Sequence, residues 1–285
     1  MEQEIEKIIQ QVKDLYPNIA VMSKLSNLLR DPNVDLVDLA DLIKTEPALT
    51  VDMIKISNSS IYAAAAEVST IDSALARIGF NDARKIVSYI LTRDICSKDL
   101  TYYRMSADDF LSESMTVSIL MEVMAPAGRL NRSEAATIGT LHNIGRVIIN
   151  NLLAYMESDA QWDRKMPVSD WEKKVVLFHH GEAGAHFLSQ MDFSLEFQDV
   201  IRYHVEPEGS PDSPAMRQLL HYCVRLKNAL GAGLMDSDKE IPDPEWLNPH
   251  FDLSPTDIHI VLAEAQSRFE VMSQEIFNRG TMQRV

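Results

Sequence analysis

The sequence predicts an all-α protein, because its apolar residues recur at helical spacing along almost the whole chain. Two such stripes near the N-terminus are Ile5, Ile8, Ile9 and Val12, and Leu36, Leu39, Leu42 and Ile43. Strand-like alternation of apolar and polar residues is nearly absent. The hydrophobic share of 46%, with 10 glycines and 12 prolines, is typical of a chain that is folded throughout.

Acceptor side chains and first-turn prolines mark the predicted helix starts. These signals are Asp35, Glu46-Pro47, Thr70, Asn81 and Ser254-Pro255. In the first half they predict helices from Asn18 to Leu29, Leu36 to Thr45, Ala48 to Asn58, Ile71 to Ile78 and Asp82 to Ile95. Stops are predicted at Gly79, at Gly128 and near Gly231. Because helices this short are marginal alone, tertiary packing must stabilise them.

Two stretches rich in proline, serine and acidic residues interrupt the second half. VEPEGSPDSP at 205–214 and MDSDKEIPDPEWLNP at 235–249 are predicted to be loops or boundaries. A last helix follows Ser254-Pro255. We therefore predict one domain over 12–209, with its first group of helices reaching about residue 125, and a helical C-terminal extension over 210–285 packed on it.

Charge and targeting signals restrict the partners and the compartment. The chain has 42 acidic and 27 basic residues, and its net charge of −15 disfavours direct binding to DNA or RNA. Cys96 and Cys223 lie far apart without a CxxC spacing, which indicates reduced thiols. No signal peptide is evident, and no apolar run approaches the ~20 residues that span a bilayer. We expect a cytoplasmic protein without a membrane partner, and its oligomeric state stays open.

The segment TIGTLHNIGRVIIN places His142 and Asn143 on an apolar helix, ahead of a Gly-Arg pair. It resembles the HDIGK-like signature of the HD superfamily, in which adjacent His and Asp residues bind a divalent metal. Three further segments resemble the HDOD branch of that superfamily: LSNLLRDPNVDLVDLADLIKTEPALTVDMIKISNSSIY, STIDSALARIGFNDARKIV and HGEAGAHFLSQMDFSLEFQDVIRYH. The resemblance covers about 16 to 204, although Phe193 and Glu196 replace the usual tryptophan and proline. It implies a multi-helical HD-domain-like fold.

The resemblance also implies where metal ligands would lie. The early His aligns with Glu113, the His-Asp pair with His142 and Asn143, two further His with His180 and His204, and the late Asp with the vicinity of Val224. Two carboxylates are therefore missing, and a hard cation that activates water relies on anionic oxygen ligands. A mononuclear zinc, iron or manganese site of Glu113, His142, His180 and His204 is chemically conceivable. We nevertheless expect no metal and no catalytic residue.

Several of these residues have simpler interpretations. The candidates for a ligand-binding cleft are Glu113, His142, Asn143, Arg146, His180 and His204. His142 is more simply explained as a buried histidine bonded to a backbone carbonyl, and Arg146 as the cap of a nearby helix rather than a phosphate contact. Helical spacing favours core packing over a binding surface for Met105, Met115, Met121 and Met124. The histidines without a metal-ligand position are expected to be structural or exposed: His179, His186, His221, His250 and His259.

No other enzyme signature is present, because GxSxG, GxxxxGK[ST], Rossmann glycine and HExxH patterns are all absent. The HDOD resemblance implies a non-catalytic bacterial signal-transduction or regulatory protein that binds a protein partner or a nucleotide second messenger. One alternative is a residual mononuclear metal-dependent phosphohydrolase acting on a nucleotide or cyclic dinucleotide. Another is a structural role in a larger assembly.

Overall fold

The fold is described from a computed structural model, which covers residues 2–15, 18–29, 31, 33–59, 62, 67–207, 215–230, 241–242, 251 and 253–280. For residues 2–5, 15, 18 and 271–280 the backbone alone is described. The α-helices are α1 Glu2–Leu15, α2 Asn18–Leu28, α3 Leu36–Lys44, α4 Pro47–Ser57, α5 Ile71–Ile78, α6 Phe80–Ile95, α7 Ala107–Met124, α8 Arg132–Leu141, α9 Ile144–Tyr155, α10 Val168–Val176, α11 His180–Ser189, α12 Leu195–Tyr203, α13 Ala215–Leu230 and α14 Pro255–Gly280. The all-α prediction is confirmed, since these covered ranges contain no strand.

The chain forms two compact units. The small unit is Lys13–Ser97, and the large unit combines Met1–Val12 with Lys98–Val285. The small unit thus holds α2 to α6, and the large unit holds α7 to α14. The predicted boundary at 209/210 lies within 208–214, outside the described residues. Also outside them are Gly231 and most of the two predicted loops.

In the small unit the predicted start signals act as helix caps. The Asp35 carboxylate accepts hydrogen bonds from the backbone N–H groups of Val37 and Asp38 at 2.7 and 3.2 Å. Pro47 occupies the first turn of α4, and Thr70 Oγ1 accepts from the Ser73 N–H at 3.3 Å. These contacts satisfy backbone donors that a helix N-terminus leaves free. The core that the helices enclose includes Met22, Leu25, Leu39, Ile43, Met53, Leu75 and Val87.

The helix predicted from Asp82 with its start signal at Asn81 begins two residues late, because α6 begins at Phe80 directly after its N-cap Gly79. Gly79 has φ +83° and is both the C-cap of α5 and the N-cap of α6. A positive φ costs little for glycine, so this single residue joins the two helices, and α6 begins without a side-chain cap. The predicted stop at Gly79 is confirmed.

In the large unit α7 is the central helix and contacts α8, α13 and α14. Helix α11 packs against α9 and α12. The four methionines Met105, Met115, Met121 and Met124 are buried, so the core interpretation of them is confirmed. At the start of α14, Ser254 Oγ accepts from the Asp257 N–H at 3.2 Å, as its sequence signal predicts. Among the residues covered by the structure, no helix combines the length and apolar character needed to cross a membrane.

Candidate functional site

The six candidate cleft residues come together in the large unit. Glu113 lies on α7, His142 and Asn143 form the junction between α8 and α9, Arg146 lies on α9, His180 begins α11, and His204 follows α12. Hydrogen bonds join Asn143 and Arg146 to Glu113, and the imidazole rings of the three histidines are neighbours. The positions that the resemblance implies therefore lie together in the structure.

A close approach of α9 and α11 brings His180 beside the α8–α9 junction. A Cβ atom placed on Gly145 would lie 1.8 Å from the His180 backbone oxygen and 2.7 Å from the Gly184 nitrogen. Only a glycine leaves room for this backbone contact, since real Cβ atoms are never so close to other heavy atoms. Gly145 thus sets the distance between α9 and α11, and with it the distance of His180 from the α8–α9 junction that holds His142.

The histidine cluster consists of His142, His180 and His204. The ring centroids of His142 and His204 are 5.7 Å apart, and those of His180 and His204 are 5.2 Å apart. Nδ1 of His142 lies 2.6 Å from the Gly139 oxygen, and Nδ1 of His204 lies 2.6 Å from the Ile201 oxygen. Because a carbonyl only accepts, Nδ1 carries the proton in both rings and Nε2 keeps its lone pair.

Burial controls the charge state of the histidine cluster. It lowers the pKa of His142 to about 3, although the Gly139 carbonyl raises that pKa, and it lowers the pKa values of His180 and His204 well below the usual range. All three rings are therefore neutral at pH 7. Nε2 of His204 is buried without a hydrogen-bond partner, as is Oδ1 of Asn143.

Sequence reasoning missed Glu172, a fully buried carboxylate on α10. Its Oε2 accepts from the backbone N–H of His180 at 2.9 Å and lies 2.7 Å from His180 Nδ1, while its Oε1 accepts from the Tyr103 hydroxyl at 2.8 Å. Burial raises the pKa of Glu172 to about 7, although the nearby Arg146 charge lowers it. Because Glu172 lies in the charged segment DWEKK, nothing in the sequence indicates that it is buried.

Sequence reasoning also missed Lys227, which completes what we call the charge cluster, Glu113 with Arg146 and Lys227. Arg146 Nη1 donates to Glu113 Oε2 at 3.0 Å, and Lys227 Nζ donates to Glu113 Oε1. The exposed side-chain fractions are 22% for Glu113, 9% for Arg146 and 10% for Lys227. The alternative in which Arg146 caps a helix is thus replaced by an ion pair. Lys227 lies on α13 three residues after Val224, so it extends from nearly the same helix face.

The ionised form of Glu113 is strongly favoured. Burial alone would raise the pKa of this carboxyl, but the charges of Arg146 and Lys227 lower it to about 2. Burial lowers the pKa of Lys227, and the Glu113 carboxylate beside it raises that pKa. The cluster is therefore one anion held by two cations.

The donor set does not fit the divalent metal that the HD motif implies. A metal at Glu113 would compete with Lys227 for Oε1 and with Arg146 and Asn143 for Oε2. Asn143 is neutral and Val224 offers no donor, so two anionic ligands that could offset such competition are absent. Across the described part of the chain, no group of three His, Cys, Asp or Glu side chains is arranged to hold a metal ion.

Of the histidines without a metal-ligand position, His179, His186 and His221 make hydrogen bonds within the protein. His179 caps α11 by accepting from the Gly181 N–H at 3.1 Å, and His221 Nδ1 lies 2.6 Å from the His204 oxygen. His186 Nε2 lies 2.7 Å from Glu6 Oε1. His259 is exposed on α14, and His250 lies outside the described residues.

The fold and this centre define an all-helical protein in which a buried histidine cluster lies beside Glu113, Asn143 and Arg146. The HDOD domain family matches residues 15–207, which is well over half of the chain. This protein belongs to the HDOD family. The predicted family is thereby confirmed.

Solved structures share the fold at low sequence identity. An HDOD domain protein of unknown function from Geobacter sulfurreducens has a TM-score of 0.59 and 18% identity, covering 92% of this chain and 88% of that one. A candidate signal transduction protein from Marinobacter aquaeolei VT8 has a TM-score of 0.58 and 16% identity, over 96% and 62%. A candidate metal-dependent phosphohydrolase from Shewanella amazonensis SB2B has a TM-score of 0.57 and 16% identity, over 95% and 99%. At such identities the likeness concerns the fold.

A curated relative is an uncharacterized protein of Treponema pallidum (strain Nichols). It is 20% identical over 211 residues, which is 72% of this chain. This chain spans only 40% of that relative's length.

Proposed function

We propose that this HDOD protein is a non-catalytic signal-transduction or regulatory protein that acts by binding a partner. The observation that carries the proposal is the pairing of Glu113 with Lys227 and Arg146. Where an HD hydrolase needs anionic ligands for a metal, this chain has a carboxylate already paired with the Arg146 guanidinium and the Lys227 ammonium. A metal that lowers the pKa of a bound water for attack on phosphorus would have to compete with these two cations for Glu113.

The names of the structural relatives agree with either a signalling or a hydrolytic function, since one is a candidate signal transduction protein and another a candidate phosphohydrolase. The two classes differ in what the centre must hold. A hydrolase needs a metal with open coordination positions, whereas a binding protein needs only a preformed site. Both oxygens of Glu113 already accept hydrogen bonds from Asn143, Arg146 and Lys227, which favours the second class.

A residual mononuclear hydrolase is the second candidate, and the histidine cluster favours it. The Nδ1 atoms of His142, His180 and His204 are all hydrogen-bonded, which is the arrangement that orients imidazole ligands toward a metal through Nε2. A hydrolase is disfavoured because Lys227 and Arg146 already bind the Glu113 carboxylate, which would have to coordinate the metal together with those histidines.

Measurements of metal content and of phosphodiester hydrolysis distinguish the two candidate functions. We expect the full chain, purified without chelator, to contain far less than one Mn, Fe or Zn per molecule by plasma mass spectrometry. We also expect no release of nitrophenol from bis-p-nitrophenyl phosphate, and no cleavage of a cyclic dinucleotide, after Mn²⁺ or Fe²⁺ is added. The reason is the missing anionic ligands at Asn143 and Val224.

The matched control restores those ligands in the variant Asn143→Asp, Val224→Asp, Lys227→Ala. It is expected to retain more metal than the wild type in the same preparation. Stoichiometric metal in the wild type, with hydrolysis that disappears in His142→Ala, would show that the protein is an enzyme and would refute the proposal.

A further inference from the structure

The side chains of the centre form a closed series of contacts, which we call the contact ring. Arg146 Nη1 donates to Glu113 Oε2 at 3.0 Å, and Asn143 Nδ2 donates to the same oxygen at 3.4 Å. His142 precedes Asn143 in the chain, and its imidazole centroid lies 5.7 Å from that of His204. This half of the contact ring therefore leads from Arg146 to His204.

The second half of the contact ring leads back from His204 to Arg146. The imidazole centroid of His204 lies 5.2 Å from that of His180, whose Nδ1 is 2.7 Å from Glu172 Oε2. Glu172 Oε1 accepts from the Tyr103 hydroxyl at 2.8 Å, and the Tyr103 ring centroid lies 5.9 Å from Arg146 Cζ. The members of the contact ring are thus Tyr103, Glu113, His142, Asn143, Arg146, Glu172, His180 and His204.

Three members of the contact ring each have a buried polar atom without a hydrogen-bond partner in the chain. These atoms are Asn143 Oδ1, Arg146 Nε and His204 Nε2. The three residues are only 1%, 7% and 2% exposed, respectively. Because buried polar groups are nearly always partnered, atoms of this kind in one centre indicate a bound molecule that supplies the missing hydrogen bonds.

The neighbouring positions of Asn143 and Arg146 allow one molecule to reach both. They are three residues apart at the start of α9, so they share one face of the turn, and the Arg146 backbone N–H donates to the Asn143 oxygen at 2.9 Å. One edge of each side chain is bonded to Glu113, and the other edge carries the atom without a partner. His204 approaches this turn through its contact with the His142 imidazole. The Glu113 side chain is 22% exposed, so the centre is open to solvent on that side.

The hydrogen-bonding character of the three atoms defines the chemistry of the bound molecule. Arg146 Nε can only donate, and Asn143 Oδ1 can only accept. His204 Nδ1 carries the imidazole proton because it lies 2.6 Å from the Ile201 oxygen, so His204 Nε2 accepts. The bound molecule must therefore accept one hydrogen bond and donate two.

Simple ions lack this combination of donors and acceptors. A phosphate or carboxylate without a proton offers acceptors alone, and its charge would face the lone pairs of Asn143 and His204. An ammonium ion offers donors alone and leaves the Arg146 N–H unsatisfied. A water molecule and a primary amide each offer an acceptor and two donors, and both are neutral.

We infer that the contact ring binds one small neutral molecule, which accepts from Arg146 and donates to Asn143 and His204. Water is the smallest molecule with this chemistry, and buried waters in proteins typically make about three hydrogen bonds. A primary amide group of a ligand has the same chemistry and can replace that water without losing its hydrogen bonds. The inference rests on the proposed binding function and names the ligand chemistry that the centre recognises.

Formamide and formate are matched probes, because they have nearly the same shape but formate lacks donors. We expect a crystal structure of the full chain to show one water within about 3.2 Å of Arg146 Nε and His204 Nε2, and soaked formamide to replace it. In solution, titrations of the full chain are followed by the nitrogen NMR resonance of His204 Nε2. They should show that formamide binds about tenfold more tightly than formate.

Asn143→Leu removes one acceptor from the contact ring and keeps a side chain of similar size. It should lose the bound water in the crystal and weaken formamide binding about tenfold. The matched control is Asn151→Leu, the same substitution about two turns further along α9, where Asn151 Nδ2 donates to the Val147 oxygen at 2.8 Å. We expect this control to keep the water and the formamide affinity of the wild type. Thermal melting checks that both variants are folded.

A bound water that formamide does not displace would identify solvent as the source of the molecule, and displacement would identify an amide ligand. The inference is overturned if no molecule bonds to Arg146 Nε, if formate binds as tightly as formamide, or if Asn143→Leu and Asn151→Leu behave alike. Phosphate or formate in the contact ring would overturn the inference and leave the non-catalytic function intact. A metal ion on the histidines, together with hydrolytic activity, would instead refute the proposed function.

Discussion

Glu113→Gln is expected to lower the free energy of unfolding by about 3 kcal/mol, because it leaves Lys227 and Arg146 as buried charges without an anion. Glutamine has nearly the same shape as glutamate, so the change removes charge and little packing. Both cations are about nine-tenths buried in the native protein. Urea denaturation followed by circular dichroism at pH 7 measures the effect.

A double-mutant cycle with Lys227→Met separates the ion pair from local packing. Lys227→Met alone should cost less, since Glu113 keeps Arg146 as a partner at 3.0 Å. The combination of both changes should cost clearly less than the sum of the single changes, because the second substitution removes one of the stranded cations. Strict additivity would show that Glu113 and Lys227 do not interact in solution.

The stability that Glu113 contributes has a defined pH range. Its pKa in the folded protein is about 2, below the ordinary glutamate value of 4.5. The contribution is therefore fully present above about pH 4.5 and disappears as the pH falls toward 2. Glu113→Gln should differ most from the wild type at neutral pH and converge with it in acid.

The sequence predicted the fold well because its signals are local. Asp35, Thr70 and Ser254 cap helices as expected, and a capping side chain needs only its own neighbours in the chain. The start of α6 was predicted late because its observed start depends on the backbone and not on a capping side chain. Gly79, at φ +83°, is the N-cap of α6 and has no side chain that could form a capping hydrogen bond, so the sequence contains no cap signal there.

The centre was predicted only in part because its remaining contacts are distant in sequence. The positions of His142, His180 and His204 followed from motif resemblance, and the structure brings them together. Lys227 reaches Glu113 across 114 residues, and Tyr103 reaches Glu172 across 69. A lysine on an amphipathic helix normally points to solvent, so no pattern in α13 distinguishes Lys227 from an exposed lysine.

The charge cluster changes how the neutral residues Asn143 and Val224 are understood. Asn143 and Val224 suggested a centre that had only lost ligands. Lys227 and Arg146 show that positive charge is now built into the protein beside Glu113. A fixed cation cannot exchange ligands or activate water as a metal does, but it holds a carboxylate in one position. That difference is why we propose binding and not hydrolysis.

Gly145→Ala is expected to destabilise the protein by about 3 kcal/mol or more, because the added methyl group would meet backbone atoms that cannot turn away. Its Cβ would lie 1.8 Å from the His180 oxygen and 2.7 Å from the Gly184 nitrogen. Alanine favours a helix over glycine by about 1 kcal/mol, which offsets only part of this cost. To relieve the clash, α9 and α11 must separate, and His180 would then move away from His142.

Gly184→Ala is the matched control on the facing helix. Its Cβ would lie 3.2 Å from the Ile201 Cγ2 atom and 3.3 Å from the Gly145 nitrogen, so small shifts accommodate it. We expect a change in the free energy of unfolding within about 1 kcal/mol, since the helix preference of alanine offsets the tighter contact. Equal stability of Gly145→Ala and Gly184→Ala in urea denaturation would mean that α9 and α11 are farther apart in solution. In that case the histidine cluster would not be the compact group on which the site depends.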